Sequence, residues 1–281
     1  GATLVSLPGV PREMEAMMSE SVVPFLAEQL SRSRKTSPQP IIRHVFHTWG
    51  VPEADVDAKL LGVIPKGLPI DLGLLASPMG VLVSLTTKSG GARPVTDEVL
   101  ASLAQEVRTR LKDCLFAEGR ETMEEVVGRL LAERTLTVAT AESCTGGLIG
   151  HRLTQVPGSS AYVDRGAICY SNQSKSEMLG VPPELIAKHG AVSGEVAAAM
   201  AKGIRERAGV SVGLSVTGIA GPGGATEVKP VGLVYIGLDG GTGDALTKEF
   251  RFHGDRSVIK QRSSQAALNL LRLWLIDRGR R

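Results

Sequence analysis

Residues 136–153 run Leu-Thr-Val-Ala-Thr-Ala-Glu-Ser-Cys-Thr-Gly-Gly-Leu-Ile-Gly-His-Arg-Leu, and this stretch constrains the fold more than any other. It opens as a β-branched run of period two and closes with Leu148, Ile149 and Leu153 at helical spacing. Between them lie Ser143, Thr145, Gly146 and Gly147. The pattern predicts a strand, a tight turn and a helix start, with small polar residues in the turn. The first N–H groups of a helix lack internal partners and carry partial positive charge. A hydroxyl held beside them suits a phosphate or the oxyanion of acyl transfer, unless it is simply the N-cap of an ordinary β–α unit.

Aromatic residues are sparse at 4% while glycine counts 33 of 281, as expected of α/β units built from Ala, Val and Leu with many tight turns. The net charge of +3 is too weak to argue for nucleic acid. No apolar run reaches membrane-spanning length. Cys114, Cys144 and Cys169 show no metal-ligand spacing and read as thiols of a reducing compartment, so the expected location is cytoplasmic.

Taken in order, residues 2–10 read as a strand and 12–30 as a helix, as though the chain starts inside a domain whose earlier part is missing. The polar, basic, Pro-bearing residues 31–40 read as a linker. Residues 41–118 form a small α+β unit: a strand at 41–48, a helix at 52–61, two strands within 72–87, and a helix at 96–112 capped by Thr96. From about 119 a three-layer α/β unit follows. Its helices are expected at 122–134, 173–179, 182–188, 193–208 and 255–275, and its strands at 136–141, 211–217, 231–238 and 245–252. Ligands of open sheets sit where glycine-rich crossings leave the strand ends.

Three further segments carry chemistry. Tyr170 and Lys175 follow a strand-like Ala167-Ile168-Cys169; a lysine can serve as base for a hydroxyl nucleophile if burial keeps it neutral, or it can be a plain surface residue. Thr217-Gly218-Ile219-Ala220-Gly221-Pro222-Gly223-Gly224 offers backbone N–H groups to an anion, or is only a hairpin approach. Gly254-Asp255-Arg256 precedes the last helix; Asp255 is a plausible N-cap, and Arg256 could pair with it or reach a phosphate.

Together, Ala141–Gly147, Tyr170–Lys175, Thr217–Gly224 with Lys229-Pro230-Val231-Gly232, and Gly254–Arg256 resemble the C-terminal amidase domain of the CinA (competence/damage-inducible) family over about 160 residues. Upstream, residues 36–118 are similar to that family's KH-type domain. Residues 1–35 resemble the closing β–α remnant of its truncated molybdopterin-binding-like domain plus a linker, leaving 119–281 as the amidase domain. The resemblance implies hydrolysis of nicotinamide mononucleotide to nicotinate mononucleotide and ammonia, with no cofactor and no metal. Position by position, Ser143 matches the nucleophile, Lys175 its activator and Tyr170 a hydroxyl assisting proton transfer. The oxyanion is expected at the amides near Thr145 and Gly146. Gly147, Thr217, Gly218, Ile219, Ala220, Gly221 and Arg256 are expected at the substrate. A homo-oligomer, a dimer, is expected, with neither membrane nor nucleic acid as partner. The alternative is a non-catalytic nucleotide- or RNA-binding module acting through the KH-type unit, against which stands the lack of a Gly-x-x-Gly loop in 41–118.

Overall fold

The computed structural model describes residues 3–33, 41–88, 95–112, 114–241, 243 and 245–278. Helix α1 (Pro11–Met17) passes through a π-turn, Met18–Val22, into α2 (Val23–Ser33). The strand expected at 2–10 is not formed over residues 3–10. A strand with no neighbour has no ladder to satisfy its backbone groups. The apolar side chains of the following helix, Met17, Val23, Phe25, Leu26 and Leu30, are correspondingly exposed. Of the expected linker, 31–33 belong to α2, while 34–40 lie outside the described residues.

The first sheet is built from β1 (Arg43–Thr48), α3 (Glu53–Leu60), β2 (Ile70–Ser77), β3 (Gly80–Thr87), α4 (Asp97–Leu111) and β4 (Leu115–Glu118). Its order is β2-β3-β1-β4, every pair antiparallel. The apolar faces of α3 and α4 close one side over Phe46, Val83 and Leu85, all fully buried. Each such side chain contributes about 1.5–3 kcal/mol on burial. Thr96 caps α4 through its hydroxyl, which accepts from the Val99 amide. Strand β4 escapes sequence reading because four residues after a helix carry too little periodicity.

The second sheet follows α5 (Met123–Glu133), whose start is a capping box between Thr122 and Glu125. Then come β5 (Val138–Glu142), α6 (Leu148–Thr154), β6 (Val163–Ile168), α7 (Asn172–Leu179), α8 (Pro183–His189), α9 (Gly194–Ala208), β7 (Val212–Gly218), β8 (Leu233–Asp239), β9 (Leu246–Arg251) and α10 (Arg256–Arg278). The order is β6-β5-β7-β8-β9, with β5 parallel to both β6 and β7 and the last two pairings antiparallel. Helices α5, α6 and α10 bury Leu131, Leu153 and Leu271 against one face, and α9 buries Val196 and Met200 against the other. This is the expected three-layer α/β unit, placed after a small α+β unit. The chain leaves β5 to build β6 on one side and later returns to build β7 on the other. Connections that diverge in this way open a crevice at the carboxyl ends of the strands.

Candidate active site

Strand β5 delivers Ser143 to the mouth of that crevice. The Ser143 amide donates to Val216 O on β7, and the Gly146 amide turns back to Ser143 O at 3.1 Å. Gly146 and Gly147 take φ of 61° and 92°, which only glycine adopts without strain. The start of α6 is not open to a ligand. The buried Glu142 carboxylate accepts from the amides of Gly147 (3.0 Å), Ile149 (3.1 Å) and Gly150 (2.8 Å). An acidic side chain there answers both the orphan donors and the positive end of the helix. The Gly146 amide is held in the turn, so its donor is not free for an oxyanion. Among the described residues the Thr145 amide has no protein acceptor, and the Cys144 amide has none beyond its own thiol.

Lys175 comes from α7, which Ser171 caps by accepting from the Ser174 amide. Only 1% exposed, its ammonium nitrogen lies 3.2 Å from Ser143 Oγ and donates to Cys169 O at 2.9 Å and Tyr170 O at 3.3 Å. No carboxylate pairs with it among the described residues. Burial holds Lys175 below its usual 10.5, with the neighbouring thiols Cys169 and Cys144 acting weakly in the opposite direction. Burial pushes the Cys144 thiol up to about 12, so the sulfur beside Ser143 stays protonated and inert.

The opposite side of the crevice is the loop after β7. Together with Ser143, Tyr170 and Lys175, residues 217–221, 223 and 224 line a pocket of about 220 Å³. The amides of Gly221, Gly223 and Gly224 have no protein acceptor among the described residues. Asp255 is the N-cap of α10, its carboxylate accepting from the Val258 amide. Arg256 therefore does not pair with Asp255; it donates to Gly221 O at 2.8 Å and to the Tyr170 hydroxyl at 2.9 Å.

The structure thus brings Ser143, Lys175, Tyr170, Thr217, Gly218, Ile219, Ala220, Gly221 and Arg256 to one pocket. Tyr170 does not stand between Ser143 and Lys175, which touch directly; its hydroxyl is held by Arg256, and the residue is 60% exposed. The Thr217 hydroxyl donates to Ala191 O. Gly147 lines a separate hollow of about 400 Å³ behind Glu142, along the β6 edge. Glu142 is the residue that sequence reasoning passed over. Its signal was an acidic residue ending a strand a few positions before an uncapped helix.

Comparisons with known proteins agree with the fold and the motifs. Residues 120–275, or 156 of 281, match the family model of the CinA C-terminal domain, and residues 43–117 match that of the damage-inducible protein CinA KH domain. The CinA-like protein of Geotalea uraniireducens is 41% identical over 277 residues, which are 99% of this chain and 64% of that protein. The CinA-like protein of Citrifermentans bemidjiense is 43% identical over 272 residues, 97% of this chain and 63% of that protein. The chain therefore spans less than two thirds of the length of these relatives. Among solved structures, the competence/damage inducible protein CihA from Agrobacterium tumefaciens is similar at 43% identity and a TM-score of 0.52. The match covers 54% of this chain and 94% of CihA. With the C-terminal model matching more than half of its residues, the chain belongs to the CinA family.

Proposed function

We propose that this chain is a nicotinamide-nucleotide amidase that hydrolyses nicotinamide mononucleotide to nicotinate mononucleotide and ammonia. The observation that carries the reading is the 3.2 Å contact between a buried amine without a carboxylate partner and a hydroxyl facing a donor-lined pocket. Neutral Lys175 takes the Ser143 proton as Oγ bonds to the carboxamide carbon, and the carbonyl electron pair moves onto oxygen. The amides of Cys144 and Thr145 face that oxyanion, each donor contributing about 3 kcal/mol. Collapse breaks the C–N bond; the leaving nitrogen takes the proton from Lys175 and departs as ammonia. Water then loses a proton to Lys175 and attacks the Ser143 ester; the C–Oγ bond breaks, Ser143 Oγ takes the proton back from Lys175, and the acid gives its own proton to solvent and leaves as the carboxylate. The cationic pyridinium ring of the bound substrate further favours the neutral amine.

Arg256 and the amides of Gly221, Gly223 and Gly224 suit the phosphate, a dianion that accepts charge-assisted bonds from a guanidinium. Tyr170 closes that end of the pocket through Arg256. The division into 1–35, 36–118 and 119–281 belongs to the same reading. An ammonia-release assay tests it, with nicotinamide riboside beside the mononucleotide. Release from the mononucleotide, much weaker from the riboside, is expected; no release from either contradicts the proposal.

The match of residues 43–117 to a KH domain favours a second reading, binding of single-stranded RNA through the first sheet. Filter binding at moderate salt decides it: tight, salt-sensitive retention supports RNA recognition, and none removes it.

A further inference from the structure

The wall of the pocket facing the glycine loop is the turn between α8 and α9, which supplies Ala191 and Val192. Its backbone is held by side chains rather than by a ladder. His189 O accepts from Lys229 Nζ at 2.7 Å, Gly190 O from Ser193 Oγ at 3.0 Å, Ala191 O from Thr217 Oγ1 at 2.8 Å, and Val192 O from Lys229 Nζ at 2.7 Å. Four consecutive carbonyls are therefore satisfied from outside the turn's own backbone, two of them by one ammonium. Gly190 has φ of +76°, and a Cβ there would stand 2.8 Å from Lys229 Nζ, so the amine occupies the space a side chain would need.

Lys229 belongs to the loop that lends Gly221, Gly223 and Gly224 to the opposite lip. A tight turn from Thr226 to Lys229 aims it: the Thr226 amide donates to Lys229 O at 2.9 Å, and the Lys229 amide to Thr226 Oγ1 at 3.1 Å. Among the described residues, no other side chain of 221–230 hydrogen-bonds outside the loop. We infer that Lys229 is a positioning residue that clasps the glycine loop to the α8–α9 turn and so sets the width of the pocket between them. An ammonium has the three donors such a clasp needs, and a charged donor to a carbonyl is stronger than a neutral one. The clasp acts on binding of the phosphate-bearing end, not on the Ser143–Lys175 pair, which other elements hold.

The binding part of this inference rests on the amidase reading; the geometric part does not, and the experiment separates them. In Lys229→Met, which keeps the length and removes the donors, amide exchange is expected to quicken at Gly190 in the turn and at Thr226 and Gly232 in the loop, whose amides donate to Ile186 O, Lys229 O and Ile219 O, and to stay unchanged in β5 and α10. The KM for nicotinamide mononucleotide is expected to rise about tenfold or more with kcat within about threefold. Lys229→Cys alkylated with bromoethylamine, which restores an amine of near-lysine length, is expected to reverse both effects; Cys114 and Cys169 are buried, the pocket-lining Cys144 thiol stays protonated, and wild type treated with the reagent is the control. Unchanged exchange at the two segments overturns the clasp, as does a uniform increase across the whole sheet or a fall in kcat at constant KM. If the wild-type protein does not turn over the mononucleotide, the amidase reading fails, and the exchange comparison alone decides the clasp.

Discussion

Tyr170 and Arg256, 86 positions apart, meet hydroxyl to guanidinium at 2.9 Å, and the same guanidinium holds Gly221 O at 2.8 Å. The turn between β6 and α7, helix α10 and the loop after β7 are joined at this one cation. Arg256 thereby fixes two lips of the pocket while presenting charge to it. Arg256→Ala is expected to raise the KM for nicotinamide mononucleotide by roughly 10–100-fold, the size of losing charged hydrogen bonds worth about 1.5–3 kcal/mol. It should also abolish the preference over the riboside. Tyr170→Phe keeps the ring and the cation and should cost less than about tenfold in kcat/KM. Steady-state kinetics on both substrates check this. A Tyr170→Phe loss as large as that of Ser143→Ala would place the hydroxyl in proton transfer instead.

The pH dependence follows from Lys175. Burial lowers its pKa, and it must be neutral to accept the Ser143 proton. The rate therefore rises with pH through the folded-state pKa, which lies below the usual 10.5, and levels off above it. A kcat/KM profile whose rising limb is centred at or above 10.5 contradicts the assignment. Stability moves with the same sign: between the folded-state value and 10.5 the unfolded chain binds more protons, so the native state gains as pH rises. The penalty for holding the amine is fully present below the folded-state value. Lys175→Met should accordingly be stabilising near neutral pH, with its advantage over wild type shrinking towards 10.5.

Glu142 gives a test of the local architecture. In Glu142→Gln the amide nitrogen faces backbone donors that the carboxylate now satisfies. The expected loss is roughly 1–3 kcal/mol, a fall in Tm of roughly 3–10 °C for a unit of this size. An unchanged Tm would show that the three bonds contribute nothing net.

Thr145 separates a backbone role from a side-chain role. It is wholly buried, and its hydroxyl has no partner among the described residues. Thr145→Val removes an unsatisfied polar group and keeps the amide. It should stabilise by about 1 kcal/mol and leave ammonia release within a few-fold of wild type. A large loss of activity would mean that the hydroxyl, rather than the amide, meets the substrate.

How much of this was legible in the sequence depends on where the determining contacts lie. The β5–turn–α6 unit was readable because period and glycines are local signals, and so were Thr96 and Asp255 as caps. The meeting of Ser143 with Lys175 was expected only through the resemblance, since no local rule links positions 32 apart. The engagement of Gly146 and the filling of the α6 start by Glu142 were hidden, because a residue type shows that a group can bond but not which bond it makes first. Strand β6 was read only at its last residues. It is an edge strand, and Asp164 and Arg165 break the alternation that a half-buried strand displays. The strand expected at 2–10 had the right local pattern, but a strand is completed by partners that a local pattern does not contain.

The central claim is that Ser143 and Lys175 act as one unit. Its most direct test is ammonia release from nicotinamide mononucleotide by Ser143→Ala and Lys175→Met, each first shown to be folded by its unfolding transition. Both are expected to lose at least about 10³-fold in kcat/KM, and by similar amounts, because neither half of a nucleophile–base pair works alone. Turnover near the wild-type rate by either folded variant would contradict the account.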